Sequence, residues 1–420
     1  MDISLQTLEK RFRDYISFDT QSDENETEKF PSTPGQKVFA KHLAKELTSL
    51  GLTDVSLDNH GYVMASLPAT DGESAAAPVV GFISHMDTSP DAAGGPVKAR
   101  RVEYEGGDIV LNEDAPGYGR VVLSPQDFPE LADYVGQPIL VTDGTTLLGA
   151  DDKAGITAIV SAAEYLLQHK ELKHGTIKLA FTPEEETGRG VKYFDVDKFG
   201  ADFAYTVDGG ALGGLEYENF NAANVKVTFH GRSVHTGDAK NKMKNALTVA
   251  SEWQQMLPAG ERPEYTEAHE GFFHVHNLQG NVETAVMDML IRDHDRAKFE
   301  QRKQYLGDMA DLLNAKYGAG TVEVDAKDVY YNMLEKIKPH MELVELARQA
   351  MREADVEPAE LPIRGGTDGA MLSWRGLPCP NLFTGGLNYH GRYEYLPLLS
   401  LQKAAAVVLN IMMHTDELHK

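Results

Sequence analysis

The chain has almost no cysteine. Cys379 is the only one in 420 residues, so no intramolecular disulfide can staple the fold and stability has to come from buried apolar surface. Positive charge is scarce relative to negative. Against 64 Asp and Glu stand 40 Lys and Arg, a formal charge of −24 at pH 7 that repels phosphate backbones and argues against a nucleic-acid partner. No apolar run approaches the roughly 20 residues of a membrane span. The N-terminal MDISLQTLEKRF is a polar, amphipathic helix pattern without a secretory core, so a cytoplasmic protein away from membranes is expected. Internal repeats and low-complexity tracts are also missing.

What is present suffices for two cores. The length exceeds one ordinary domain, and 42% hydrophobic content can fill both. From about Leu5 to Gly51 the apolar spacing is helical, interrupted by a small, acidic loop. The segments VSLDNHGYVMASLPA and APVVGFISHMDTSP then read as strands, the second a continuous apolar run of the kind buried in a parallel sheet. Residues 93–137 are rich in Gly, Pro and charge and read as an elaborated loop with short strands. Beyond them, strands alternate with helices through about Gly210, as in an α/β domain whose mixed, mostly parallel sheet is covered by helices. From Glu218 the order becomes β-α-β-β-α-β, the split βαβ of a ferredoxin-like α+β module. The expected division is therefore 1–217 and 329–420 for the first domain, interrupted by an insert at 218–328.

The stretch LLGADDKAGITA places two aspartates, Asp151 and Asp152, at the mouth of an apolar helix. One would suffice as a cap. In an α/β sheet, ligands bind beyond the carboxyl ends of strands, and the residues following the apolar runs are His85 and Asp87, Asp151 and Asp152, Glu184 to Glu186, Asp208, and late in the chain His390. Each has an ordinary reading alone: a surface histidine, a solvated helix start, a turn aspartate. Together, imidazoles with carboxylates are the ligand set of zinc or a similar divalent ion, and their number fits two ions sharing one carboxylate.

The series HMDT, GADDKAG, TPEEETG, TVDGG, SVHTGDAKNKM, IRGGTDG and the late His390 resembles the co-catalytic zinc peptidase family that also holds aminoacylase, succinyl-diaminopimelate desuccinylase and carboxypeptidase G. The likeness runs in the same order over nearly the whole chain. It implies that His85 and Asp208 bind one metal, Glu186 and His390 the other, and that Asp151 bridges them. It further implies Asp87 as the acid orienting His85 and Glu185 as the general base acting on a metal-bridged water. His235, from the insert, becomes an electrophile toward the substrate carbonyl. The triplet is EEE where the family usually shows Asp-Glu-Glu. Gly188 favours Glu185 as base and Glu186 as ligand, and a register shifted by one is the alternative. Relatives also place a cis peptide between Asp151 and Asp152, with Asp152 capping the helix.

The HTGDAKNKM loop is similar to that of the family's tripeptide aminopeptidases, which implies release of the N-terminal residue from small peptides. Arg292 and Arg364 resemble substrate-contacting arginines, suited to a peptide carboxylate, with Asn241 and Lys242 as further contacts. Ordinary ion pairing is the competing reading for both arginines. Asp368 is either structural or faces the substrate ammonium. A related amidohydrolase, deacylating N-acyl amino acids or cleaving dipeptides on the same two metals, is the alternative activity, and a metal-binding protein without hydrolysis is a third. Zinc is the expected ion, with cobalt or manganese compatible with the same donors. The insert is expected to act as a lid and to form a homodimer, as in relatives.

Overall fold

The computed structural model describes residues 3–72 and 74–418. They fall into two units, the first running to Tyr217 and resuming over Glu335–Leu361 and from Thr367 onward, the second formed by Glu218–Leu334 and Pro362–Gly366. The second unit extends past the boundary expected at 328 because Asn332 and Met333 are bonded into it. Asn332 N donates to Asn221 Oδ1 at 3.0 Å and Met333 N to Asn219 Oδ1 at 2.7 Å. Pro362–Gly366 return to it through Ile363 N, which donates to the Glu218 carbonyl at 2.9 Å.

The first unit is built on an eight-stranded sheet. In order across the sheet the strands are Thr53–Leu57, Val63–Leu67, Ile177–Thr182, Val80–His85, Phe203–Gly209, Asn381–Phe383, Gly214–Glu216 and Ala359–Glu360. The four from Ile177–Thr182 to Asn381–Phe383 run parallel, and the pairings on either side of them are antiparallel. Val80–His85 is buried at every residue, as its unbroken apolar run requires when helices cover both faces. VSLDNHGYVMASLPA is two antiparallel strands, Thr53–Leu57 and Val63–Leu67.

Helix Ala150–Gln168 packs on strands Val80–His85 and Phe203–Gly209 and also contacts helices Leu5–Tyr15 and Leu398–Met413. Partners on several sides explain why Ala154, Ile156, Ala158, Ile159, Val160, Ala162 and Ala163 are all fully buried. Its first turn sits so close to the sheet that a Cβ on Gly155 would lie 1.8 Å from the Val207 carbonyl oxygen and 2.4 Å from Asp152 Oδ1.

Residues 93–137 hold more order than their composition suggests. Arg100–Tyr104 joins Gln137–Val141 and Tyr395–Pro397 in a three-stranded antiparallel sheet, and Ile109–Ala115 pairs with Gly119–Leu123 as a hairpin. Tyr104, Leu111, Val121, Leu123, Ile139 and Tyr395 form their shared core.

The second unit has the βαββαβ order. Its antiparallel sheet runs Phe272–Gly280, Thr284–Asp293, Asn221–His230, Val322–Tyr330, with helices Ala246–Met256 and Arg296–Tyr317 packed on it. Strict alternation buries Val225, Val227, Phe229, Met287, Met289 and Ile291 against Trp253, Phe299 and Leu306.

Gly155→Ala is expected to cost at least about 2–3 kcal/mol, because the clash is with backbone and cannot be relieved by a rotamer change. Denaturant unfolding of the full chain measures it; an unshifted midpoint would contradict the packing described.

Candidate active site

Four of the expected residues sit at or just past the ends of strands of the large sheet. His85 closes Val80–His85, Asp208 is the penultimate residue of Phe203–Gly209, and Glu185 and Glu186 form a 3₁₀ turn just past Ile177–Thr182. Asp151 and His390 do not follow that rule. Asp151 arrives on a loop at the mouth of Ala150–Gln168, at φ −85° and ψ 105°, and its bond to Asp152 is cis. His390 lies in a loop well past Asn381–Phe383, at φ 61°. The sequence places both at strand ends because LLGA and CPNLFTGGLNY look like strands, yet the first is irregular and only three residues of the second join the sheet.

Five of these side chains, those of His85, Asp151, Glu186, Asp208 and His390, converge. His85 Nε2 lies 2.8 Å from Asp151 Oδ1 and 3.3 Å from Asp208 Oδ1. On the other side of the same carboxylate, His390 Nε2 lies 3.1 Å from Asp151 Oδ2 and 3.0 Å from Glu186 Oε2. Two groups of ligand-type atoms result, His85–Asp151–Asp208 and Asp151–Glu186–His390, each gathered within 4.8 Å and sharing Asp151. Glu186 Oε1 is buried without a hydrogen-bond partner. An orphaned carboxylate oxygen among further carboxylates is poorly placed for a neutral protein interior and well placed to face a cation.

The surrounding residues hold these groups in position. Asp87 is fully buried; its carbonyl lies 3.0 Å from His85 Nδ1 and its carboxylate 3.5 Å away, while Oδ1 and Oδ2 accept from Glu185 N and Glu186 N at 3.0 and 3.2 Å. One aspartate therefore ties the His85 strand to the Glu185–Glu186 turn. Asp152 accepts from Gly155 N and His85 N, both at 3.1 Å, so it caps the helix and braces the histidine.

Glu184, which the sequence places in the acidic triplet, and Glu394, which sequence reasoning passed over, do similar work. Glu184, fully buried at φ 67°, accepts from Ser32 N, Ser32 Oγ, Gln36 Nε2 and Thr187 Oγ1 and pairs with Arg189. Its carboxylate is fully engaged there and takes part in neither ligand group. Glu394, in HGRYEYLP, accepts from backbone N–H groups of the loop leading to Asp151. The pairing of neither carries a sequence signal, because their partners are far along the chain or are backbone.

Electrostatics follow from the crowding. Burial, then Asp151, pushes Glu186 up to about 7; burial lifts Asp208 to about 6 although His85 pulls the other way. Glu185 rises well above the carboxylate range through burial and then Asp208. Bonds to Asp151 and then Glu186 hold His390 up to about 11; His85, which burial alone would lower, is raised by Asp208 and Asp151.

The other expected residues lie in the second unit. His235 is exposed, and its Nδ1 accepts from Gly237 N at 3.2 Å; Asn241, at φ 62°, and Lys242 are exposed on the following loop. Arg292 Nη1 donates to the carbonyls of Ile291 and Ala223 at 2.9 and 3.2 Å. Arg364 donates to the carbonyls of Thr266, Ala268 and Glu270 and to Thr266 Oγ1, so it latches a loop rather than pairing with acids. In the first unit, Asp368 accepts from Thr182 Oγ1 at 2.8 Å and keeps Oδ1 buried and unpartnered.

Residues 143–414 match the profile of peptidase family M20/M25/M40. The chain belongs to that family, and it is a peptidase. Peptidase T of Caldanaerobacter subterraneus subsp. tengcongensis is 54% identical over 404 residues, covering 96% of this chain and 97% of that protein. Peptidase T of Clostridium novyi is 54% identical over 409 residues, with 97% and 99% covered. The fold is shared with the crystal structure of aminopeptidase PepT from Bacillus cereus, at TM-score 0.75 and 24% identity over 98% of this chain and 99% of that one. No helix among the described residues is long and apolar enough to cross a membrane.

The raised groups predict how metal-stripped protein responds to pH. A carboxylate whose folded value is raised loses stability as pH climbs from the ordinary carboxylate range to the raised value, and a raised imidazole loses it from the histidine range upward. Both slopes have the same sign, so thermal stability of the chelator-treated chain should fall from about pH 4.5 to about pH 7. Zinc should remove most of that fall; a stripped protein that gains stability over this window would contradict the site described.

Proposed function

We propose that the protein is an aminopeptidase that releases the N-terminal residue from tripeptides at a centre holding two divalent cations. The observation that carries this reading is the division of Asp151 between two ligand groups, each completed by one imidazole and one further carboxylate. His85 and Asp208 would hold one cation, Glu186 and His390 the other, with Asp151 common to both. The peptidase T relatives support a peptide substrate, and a tripeptidase of Staphylococcus aureus that shares the fold at TM-score 0.76 and 22% identity supports the tripeptide class. A family M20 peptidase of Bacillus subtilis described as dinuclear metal binding shares the fold at TM-score 0.65 and 14% identity. Zinc is proposed on the nitrogen and oxygen donor set, which also suits cobalt or manganese.

When bound, such cations polarise the scissile carbonyl and lower the pKa of a water. The chain's own contribution centres on Glu185, which is not among either ligand group. Its carboxylate takes the proton of the attacking water and returns it to the departing amine nitrogen. Asp87 fixes the backbone of this base and of its neighbour Glu186. His235 is proposed to assist at the substrate carbonyl, and Arg292, with Asn241 and Lys242, to receive the far end of the peptide. Arg364 is proposed to shape that part of the second unit through its latch on Thr266–Glu270. The edge strands Phe272–Gly280 and Val322–Tyr330 give the second unit two borders through which a homodimer could form.

Incubation of the zinc-loaded protein with a free tripeptide, the matching dipeptide and the N-acetylated tripeptide tests the substrate class. The free tripeptide should lose its N-terminal residue; cleavage of only the acetylated peptide would instead identify an amidohydrolase. Glu185→Gln should keep the zinc content near wild type while turnover falls by roughly 10²–10⁴-fold. Retained turnover would refute the assignment of the base.

A further inference from the structure

Glu394 is 1% exposed and belongs to neither ligand group. It lies just past His390 on the chain, at the threshold of strand Tyr395–Pro397, and the strand's pairing with Gln137–Val141 fixes where its backbone stands. Its carboxylate is spent entirely on one loop. Oε2 accepts from Leu148 N at 2.6 Å and Gly149 N at 2.8 Å, and Oε1 accepts from Asp151 N at 3.1 Å. That loop is irregular: Gly149 is left-handed at φ 83°, and Asp151 and Asp152 depart from helical angles inside the first turn. A helix start of this kind leaves buried N–H groups without intrahelical partners, and a carboxylate is the one side chain whose two oxygens can accept three of them with charge-assisted bonds.

We propose that Glu394 is the positioning residue of the centre: by clamping the backbone at Leu148, Gly149 and Asp151 it aims the two oxygens of Asp151 at the two ligand groups. Because Glu394 and His390 share one short segment, the same clamp sets the shared carboxylate against a ligand of the second group. The inference rests on the two-cation reading of the site.

Glutamine at this position is informative because it keeps size while halving the acceptors. If its carbonyl oxygen serves Leu148 and Gly149, its amide group faces the N–H of Asp151, donor against donor. The reverse orientation strands the other two N–H groups. Either way the loop must shift, and Asp151 with it.

The experiment measures zinc stoichiometry and affinity of the metal-stripped full-length chain by competition with a chromophoric chelator. It covers wild type, Glu394→Gln, Glu394→Asp and Asn410→Ala, with thermal unfolding recorded for each. Asn410 is a control for general destabilisation, since its side chain bonds the Ala350 carbonyl at 3.0 Å in a buried helix contact. Glu394→Gln should lose zinc affinity by roughly 10–100-fold. At saturating zinc it should show a lowered kcat with KM near wild type, while Asn410→Ala loses stability without losing zinc affinity. Should the Gln variant fail to fold, Glu394→Asp, which keeps the charge on a shorter arm, is expected to show a smaller loss in the same direction. Wild type that binds two zinc ions alongside a folded Glu394 variant of unchanged affinity and kcat overturns the positioning role alone. Wild type that binds no zinc overturns the reading of the centre together with it.

Discussion

Asp151 presents Oδ1 to His85 at 2.8 Å and Oδ2 to His390 at 3.1 Å. One carboxylate divided between two imidazoles from opposite ends of the chain is the constraint on which the rest of the first unit depends. The two oxygens of a carboxylate are rigidly related, so the histidines can both be served only if the Asp151 backbone is fixed. That explains the unusual density of buried polar groups around it. Asp152 grips Gly155 N and His85 N, Asp87 grips the Glu185–Glu186 turn, and Glu394 grips the approaching loop. Each of these acids accepts from backbone N–H groups, so the cluster's geometry is set by main chain rather than by mobile side chains.

The scaffold supplies what such a cluster needs. Parallel strands end together at one edge, which delivers His85, Asp208 and the Glu185–Glu186 turn to a common place. The small residues of helix Ala150–Gln168 let its first turn approach the sheet until Gly155 lies against Val207 and Ser84. Collecting this many carboxylates in a buried place carries an electrostatic cost that neighbouring histidines only partly offset, as the upward shifts of Glu186 and Asp208 show. Divalent cations would reverse the sign of that term, so the features that burden the protein cluster by itself are those that would favour its loading.

Much of this could be read in advance, and the divisions are physical. His85 and Asp208 were visible because unbroken apolar strands stop at them, and the βαββαβ insert because strict alternation marks its strands. Asp151, Glu186 and His390 also follow apolar runs, and the family likeness divided all five between two ligand groups. Residues 93–137 showed no period because their strands are short, twisted by bulges, and share a core with the distant Tyr395. Pro362–Gly366 gave no hint of joining the second unit, since the ties are a backbone bridge to Asn219 and Glu218 and the bonds of Arg364 to the remote loop Thr266–Glu270. The bracing roles of Glu184 and Glu394 were invisible for a related reason. Their partners lie at Ser32 and Gln36, or at Leu148 to Asp151, and nothing in a single sequence pairs a glutamate with a remote N–H.

Anomalous diffraction from crystals of the zinc-loaded protein, recorded on either side of the zinc absorption edge, bears most directly on the divided carboxylate. Two peaks are predicted, one beside His85 and Asp208, the other beside Glu186 and His390, with Asp151 contacting both. A single peak, or peaks that leave Asp151 without a contact, would contradict the account.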